Sequence, residues 1–400
     1  MRPTFEIADV FHRHGEAYAR ARDGKIGRVE RRVMSAIQLC RTAALGGHIE
    51  ACETCGFARP AYNSCRNRHC PKCQGAAQIQ WIERRQDDLL PVAYFHVVFT
   101  LPAPIADLAF HNKAAVYAIL LKTAAATLRL IAADPKHLGA EIGVISVLHT
   151  WGQNLHHHPR VIPGGGISLD GQRWVACRPS FFLPVKVLGR LFRRLFLEAL
   201  AEAHATGLIK LTGALASLGE IGAFADALRT WRRINWIVYA KAPFGGPKQV
   251  LAYLGRYTHR VAIANSRIVA LDDDTVSFRW KDYRTHGTIK VMRVTADDFI
   301  RRFLQHTLPD GFHRLRHYGF LANARRVEKL VICRRLLAAC TPEPETPTDP
   351  APINTESGRL KDAPISSAPH ACPCCGGRLA ISSALPTFTG TPLHRAWDTS

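Results

Sequence analysis

Acidic side chains are scarce in this sequence. Asp and Glu total 32 against 53 Lys and Arg, leaving a formal charge of +21 at pH 7, well beyond what solubility asks of a chain this size. A polyanionic partner is expected, although charge alone does not separate DNA from RNA or a membrane surface. Long apolar runs are also missing. No stretch of about twenty apolar residues occurs, and the opening "MRPTFEIADVFHRHGEAYARAR" has no unbroken apolar segment, so neither a membrane span nor a signal peptide is expected. The expectation is a cytoplasmic protein without a membrane partner, in which thiols stay reduced. Its twelve cysteines are then better read as metal ligands than as disulfides.

Four hundred residues, 47% of them apolar, leave room for two or three domains with real cores. The positive charge belongs to the part expected to fold: residues 341–400 hold four basic and six acidic side chains, which leaves 49 basic against 26 acidic in the first 340. Prolines with Thr, Ser, Glu and Asp between them mark 341–371 as a linker or tail with little to bury, and a small "CPCCGG" knuckle lies beyond it.

The N-terminal 45 residues read as helices. After the cysteine-rich region, "GAAQIQWIERRQDDLLPV" is a helix ended by Pro91, and "AYFHVVFTLP" is a β-branched and aromatic strand. Residues 104–138 are rich in alanine and leucine and helical, and "AEIGVISVLHTW" is a strand. Two hairpins are expected, turning at "LDGQ" and at "LDDD". Between them stands an amphipathic helix with Leu188, Leu191, Leu195 and Phe196 facing inward. Hairpins mixed with helices, without a β-α repeat, predict an α+β fold with a largely antiparallel sheet.

Cys52-x-x-Cys55 and Cys70-x-x-Cys73 are separated by fourteen residues, close to the spacing of structural zinc ribbons. Each pair can place two thiolates on one edge of a tetrahedron, so one zinc held by all four is expected. Cys65, His69 and His48 are surplus candidates. Cys372, Cys374 and Cys375 are only three thiols, so a metal there needs His370, another domain or another chain. Cys40, Cys177, Cys333 and Cys340 read as buried small hydrophobes, Cys40 with some claim on the first cluster. Arg59, Arg66, Arg68 and Lys72 run between the ligands and suit DNA phosphates.

"PKQVLAYLGRYTHRVA" starts with Pro247, suited to a first helical turn. Tyr253 and Tyr257 lie four apart, about 40° around the axis from one another, bordered by Arg256 and Arg260. On spacing alone this is a packed pair with hydroxyls capped by water. A nucleophilic role needs something that favours the phenolate, because a phenol has a pKa near 10. A histidine cluster would meet that need, and "WGQNLHHHPRVIPGGG" at 151–166 holds three in a row.

Taken together, "CRTAALGGHIEACETCG", "YNSCRNRHCPKCQG", "YFHVVFTLPAP", "WGQNLHHHP", "PGGGISLDGQRWV", "YLGRYTHRVAIANSRI" and "FRWKDYR" resemble the rolling-circle transposases of the family named after insertion sequence 91. These are two-tyrosine members of the HUH nuclease superfamily, and the likeness runs from about residue 5 to about residue 335. It implies an N-terminal helical and zinc-ribbon domain over 1–90 that binds DNA, an HUH-nuclease-like core with a largely antiparallel sheet flanked by helices over 91–340, and a flexible tail over 341–400. It also implies a DNA transposase, associated with a bacterial nucleoid, that binds element ends and cleaves and rejoins single-stranded DNA with Tyr253 and Tyr257 as nucleophiles. No small-molecule substrate is implied. Arg256, Arg260, Arg66, Arg68 and Lys72 would hold DNA. The cofactors implied are structural zinc and a catalytic magnesium or manganese.

One segment departs from that family. There, "HHHP" is followed by a His, apolar, His triplet and an apolar pair before "PGGG"; here Arg160, Val161, Ile162 and Pro163 follow directly. His156 and His158 point the same way on a strand and, with Gln153, are the ligands left for a divalent ion; His149 and Asn154 are further candidates for the third position. The shortened segment also supports another reading, a non-enzymatic zinc-dependent DNA-binding protein descended from an inactivated transposase. His96, alone on its apolar strand, reads as packed. The three glycines read as sites of close backbone approach or unusual angles, or as a weak phosphate cradle.

Overall fold

A computed structural model describes residues 4–22, 26–148, 157–244, 246–259, 262–282, 287–339 and 371–387, with backbone alone at 157–159, 214, 242–244, 256 and 257. In chain order these form α1 (Ile7–Arg20), α2 (Arg28–Leu39), β1 (Gly47–Cys52), β2 (Ala58–Tyr62), α3 (Pro71–Glu83), β3 (Tyr94–Thr100), α4 (Ala103–His111) and α5 (Lys113–Ala133). Then come β4 (Ala140–Glu141), β5 (Gly143–Val147), β6 (His157–Pro163), β7 (Gly165–Ser168), β8 (Trp174–Ala176), α6 (Val185–Ala205), α7 (Ala223–Arg233), β9 (Val238–Phe244) and α8 (Pro247–Thr258). The rest are β10 (Ile268–Leu271), β11 (Thr275–Asp282), β12 (Thr288–Thr295), α9 (Ala296–Gln305), β13 (Leu315–Gly319), α10 (Arg326–Ala338) and β14 (Leu379–Leu385). The fold is α+β with antiparallel sheets, as the mixture of hairpins and helices predicts.

Two compact units divide these elements, and they cut across continuous boundaries at 90 and 340. Residues 1–80, 259–307 and 355–400 make one; 81–258 and 308–354 make the other. The first holds α1, α2, the sheets β14-β1-β2 and β10-β11-β12, and α9. Its core joins Ile7, Phe11, Met34 and Ile37 to Val276, Phe299 and Phe303, with Phe11 and Phe303 edge to face at 5.3 Å. Helix α9 begins where Thr295 accepts the Asp298 amide at 3.2 Å, an N-cap reinforced by Asp297 and Asp298 against the helix dipole. The "LDDD" hairpin is β10–β11, and β12 extends it to three strands.

The second unit is built on the five-stranded sheet β13-β5-β6-β3-β9, antiparallel throughout. Of its strands, β3 and β5 are largely apolar on both faces, as a sheet covered on both sides requires. Phe95, Val97, Phe99, Val144 and Ile162 share one core with Leu120, Leu128, Phe192 and Phe196 of α5 and α6. Tyr94, Ile145, Val147 and Val161 share another with Val250 and Leu254 of α8 and Leu330 and Cys333 of α10. In α6, Leu188 and Phe196 are buried as predicted, while Leu191 and Leu195 are half-buried and Phe192, Leu197 and Leu200 take the inner positions. By length and composition α5 alone among the described helices is apolar enough to cross a bilayer, yet half of that stretch is buried in the protein.

The "PGGG" run shows why glycine is needed there. Gly164 donates its amide to the Ala93 carbonyl at 2.7 Å. A Cβ on Gly165 would fall 2.6 Å from the Trp174 indole nitrogen and the Val175 carbonyl, and one on Gly166 would fall 2.4 Å from the Glu141 carbonyl. None of the three has a positive φ. Close backbone approach, rather than unusual angles or an anion cradle, accounts for them.

Candidate functional site

Eight of the twelve cysteines form two clusters, both in the first unit. Cys40, Cys65, Cys70 and Cys73 make one; Cys52, Cys55, Cys372 and Cys375 make the other. The expectation of a single ion held by Cys52, Cys55, Cys70 and Cys73 is therefore corrected. Sequence spacing identifies ligand pairs but not which pairs meet, and here each C-x-x-C pair finds its partners elsewhere. Cys40, expected as a buried hydrophobe, is a ligand candidate, as is Cys65. His69 and His48 are in neither cluster: the His69 amide donates to Asn67 Oδ1, and His48 Nε2 lies 3.8 Å from Glu50 Oε1.

In the first cluster, Cys40 follows the end of α2, and Cys70 and Cys73 stand at the head of α3. Cys73 Sγ lies 3.6 Å from the sulfurs of Cys40 and Cys65. Four thiolates around one zinc at about 2.3 Å would be about 3.8 Å apart, so the thiols already stand near tetrahedral spacing. Hydrogen bonds from Cys40, Cys65 and Cys70 hold the Cys73 thiol far below its usual range, and a helix N-terminus further favours thiolate. Cys40, Cys70 and Cys73 are also part of the core wall around α1 and α9.

The basic residues between the ligands are partly engaged. Lys72 pairs with Glu6 at 2.5 Å and Arg59 with Glu50 at 2.8 Å, so neither is a bare phosphate ligand. Arg66 is exposed and sits at φ 51, whereas Arg68 is half-buried.

In the second unit, α8 lays Val250 and Leu254 on the sheet and leaves Tyr253 half-buried at the edge of that stripe. The Tyr253 hydroxyl lies 2.9 Å from His96 Nε2, with ring centroids at 4.9 Å. His96 is buried. Burial, and then the positive charge of Lys241, lower its pKa to about 4, so the ring is neutral at pH 7. Lys241, exposed on β9, is directly opposite His96 in the strand register. The hydrogen bond between His96 and Tyr253, and the placement of Lys241, were not legible in sequence; the sole hint was one polar residue in "YFHVVFT".

Tyr257 and Arg256 lie on α8, but their side chains are outside the described residues, as is Arg260 altogether. His156, Gln153, His149 and Asn154 also lie outside them. The backbone of β6 is described, and its register is informative. Thr100 pairs with His157, Val98 with Pro159 and His96 with Val161; Phe99 pairs with His158 and Val97 with Arg160. Positions 157, 159 and 161 therefore alternate with the α8 side of the sheet, and positions 158 and 160 with the opposite side. On that opposite side Arg160 is fully buried, 5.8 Å from the Phe99 ring centroid and donating to the Leu120 carbonyl, and the side chain of His158 lies outside the described residues.

Comparison with known proteins places the chain among transposases. The family profile described as a transposase zinc-binding domain matches residues 10–101, and one described as a putative transposase matches residues 143–328. The putative transposase y4qJ of Sinorhizobium fredii is 54% identical over 99% of this chain and 98% of its own length. The transposase for insertion sequence element IS801 of Pseudomonas savastanoi pv. phaseolicola is 27% identical over 92% of this chain and 87% of its own. No solved structure matches. The zinc-binding profile and the thiol clusters together support zinc as the metal of the N-terminal region, and the chain belongs to the transposases of the insertion sequence 91 family.

Proposed function

We propose that this transposase cleaves and rejoins single-stranded DNA at the ends of its element, with Tyr253 as an attacking nucleophile and Tyr257 serving a second cleavage. The observation that carries the reading is the Tyr253 hydroxyl held 2.9 Å from a buried, neutral imidazole. In the step itself, Tyr253 Oη forms a bond to phosphorus as the bond from phosphorus to the 3′ oxygen breaks. The product is a 5′-phosphotyrosine and a 3′ hydroxyl, the phenol proton passing through His96 to the leaving oxygen. Because one phosphodiester replaces another, the reverse attack by a 3′ hydroxyl rejoins DNA without ATP.

His96 with a pKa of about 4 cannot by itself hold a phenolate. In the free protein it orients the hydroxyl. A phosphodiester bound against Lys241 offsets the cation that depresses the imidazole and adds an anion beside it, and both changes raise its basicity. Proton acceptance is thereby tied to substrate binding. Arg66, Arg68, Arg256 and Arg260 are proposed as further partners of DNA phosphates.

The family resemblance also implies magnesium or manganese. Among the described residues the groups able to hold a metal are the two cysteine clusters, and His96 is engaged with Tyr253. The described side chains therefore do not make a divalent site. His157 is the position of the histidine run that alternates with the tyrosine face. When bound, such an ion would polarise the scissile phosphate.

The test is to incubate the full chain with single-stranded element-end oligonucleotides and magnesium or manganese, and to look for a covalent adduct that survives SDS. An adduct lost in Tyr253→Phe is expected. Tight end binding with no adduct under any of these conditions would overturn the reading and leave a zinc-dependent DNA-binding protein.

A further inference from the structure

The sequence from Cys372 to Gly377 was unexplained by the transposase reading, and three thiols in "CPCCGG" were too few for a metal of their own. The fold supplies the rest. Strand β14 pairs antiparallel with β1 from Gly47↔Leu385 to Cys52↔Leu379, and so brings the C-terminal knuckle against the turn that joins β1 to β2. Cys52 Sγ lies 3.5 Å from Cys375 Sγ, and Cys55 Sγ 3.5 Å from Cys372 Sγ.

The two knuckles are built alike. In the first, the Cys52 amide donates to Phe57 and the Gly56 amide to Cys52; in the second, the Cys372 amide donates to Gly377 and the Gly376 amide to Cys372. Gly56 and Gly376 have φ of 73° and 74°, the left-handed turn that glycine adopts without strain. Each C-x-x-C-G turn thus presents two sulfurs from the same backbone conformation. The approach is close: a Cβ on Gly377 would fall 2.7 Å from Thr54 Oγ1 and 3.2 Å from Cys52 Sγ. All four sulfurs lie within 4.8 Å of one another, and four thiolates on zinc would be about 3.8 Å apart.

We propose that Cys52, Cys55, Cys372 and Cys375 bind a second zinc ion, separate from that of Cys40, Cys65, Cys70 and Cys73, which clasps the C-terminal segment 371–387 onto the N-terminal ribbon. Two of its ligands lie far outside the stretch that matches the zinc-binding profile. Ligands 317 residues apart do not forbid this, because the entropy of closing a loop grows only with the logarithm of its length. The clasp has a purpose in the fold: β14 covers the edge of β1 that would otherwise offer unpaired backbone groups. The two sites should also differ in lability, since Cys55 and Cys375 are exposed whereas Cys40, Cys70 and Cys73 are buried.

The experiment is zinc analysis of the full chain purified without chelator, beside Cys372→Ser/Cys375→Ser. About two zinc ions per chain are expected in the first and about one in the second. A protease site placed within residues 350–360 gives a readout that does not depend on the variant folding. After cleavage the C-terminal fragment should stay with the rest on gel filtration, and mild chelation should release it before the buried site empties. Equal zinc content in both proteins, a cut fragment that separates while zinc is bound, or Cys52–Cys375 and Cys55–Cys372 disulfides in place of zinc would each overturn the proposal.

Discussion

Tyr253 and His96 are joined by a 2.9 Å contact between the phenol oxygen and Nε2, made from a half-buried helix position to a buried strand position. The ring behind that hydroxyl is fixed by packing, so the two residues can be separated by mutation. Tyr253→Phe keeps the ring and removes the nucleophile, and should abolish adduct formation at that position with single-strand affinity unchanged. His96→Gln keeps a hydrogen-bonding group but no base. If His96 handles the proton, adduct formation in a single turnover should fall by about 10²- to 10⁴-fold. Fluorescence anisotropy with a labelled oligonucleotide checks that binding persists.

The same histidine sets a pH dependence of stability. His96 and His317 both have pKa values lowered to about 4, chiefly by burial, against an ordinary value near 6.5. Below about pH 6.5 the unfolded chain takes up protons that the folded protein refuses, so stability falls with falling pH and the full loss is reached below about pH 4. Each group would contribute on the order of 3 kcal/mol to that loss. Urea unfolding at pH 7 and at pH 4.5 should show it, and His96→Gln should reduce the difference between the two. An unchanged difference in that variant would remove His96 as a source.

Lys241 has two separable effects. Lys241→Gln removes a cation that lowers the imidazole pKa, so the His96 ring titration followed by NMR should move upward. The same change removes a phosphate partner, and oligonucleotide affinity should drop with a shallower dependence on salt, by about one counterion. A change in affinity without a change in salt slope would place Lys241 away from the DNA backbone.

How much of this is legible in the sequence differs between elements. The strand "YFHVVFT" and the helix from Pro247 were legible because β-branched composition and a proline at the first turn are local signals. The hydrogen bond between residues 157 positions apart was not, since it depends on how β3 and α8 pack. Likewise C-x-x-C spacing marks ligand pairs, but Cys52 and Cys55 meet Cys372 and Cys375 only because β14 pairs with β1. Alternation was legible in "HHHPR" as well. Which alternation faces the tyrosine depends on a register that the partner strand fixes.

The glycine run is open to a direct stability test. Gly165→Ala and Gly166→Ala each put a methyl within 2.6 Å and 2.4 Å of a neighbouring backbone carbonyl, and neither carbonyl can turn away without breaking strand pairing. Each should cost about 1–3 kcal/mol, seen as a lower urea midpoint. Gly171→Ala in the "LDGQ" turn is a different case, with open space around its Cβ but φ of 76°. Its cost is backbone strain alone, about 1 kcal/mol.

The buried cysteines divide by what surrounds them, and removal of metal should reveal the division. Cys333 is fully buried beside Leu330 and Leu336, where burial pushes its thiol up to about 12; it is a small apolar side chain. Cys333→Ala should leave zinc content unchanged and cost on the order of 1 kcal/mol. Cys73 is buried as well, but in contact with the sulfurs of Cys40 and Cys65. Cys73→Ala should lose the zinc of that site and, with it, protection of α1 and α9 amides from hydrogen exchange, because the same thiols wall the core those helices share. Strong chelation of the unmodified protein should reproduce the pattern, while amides of the five-stranded sheet keep their protection. If α1 and α9 stay protected after zinc has left, the metal does not support that core.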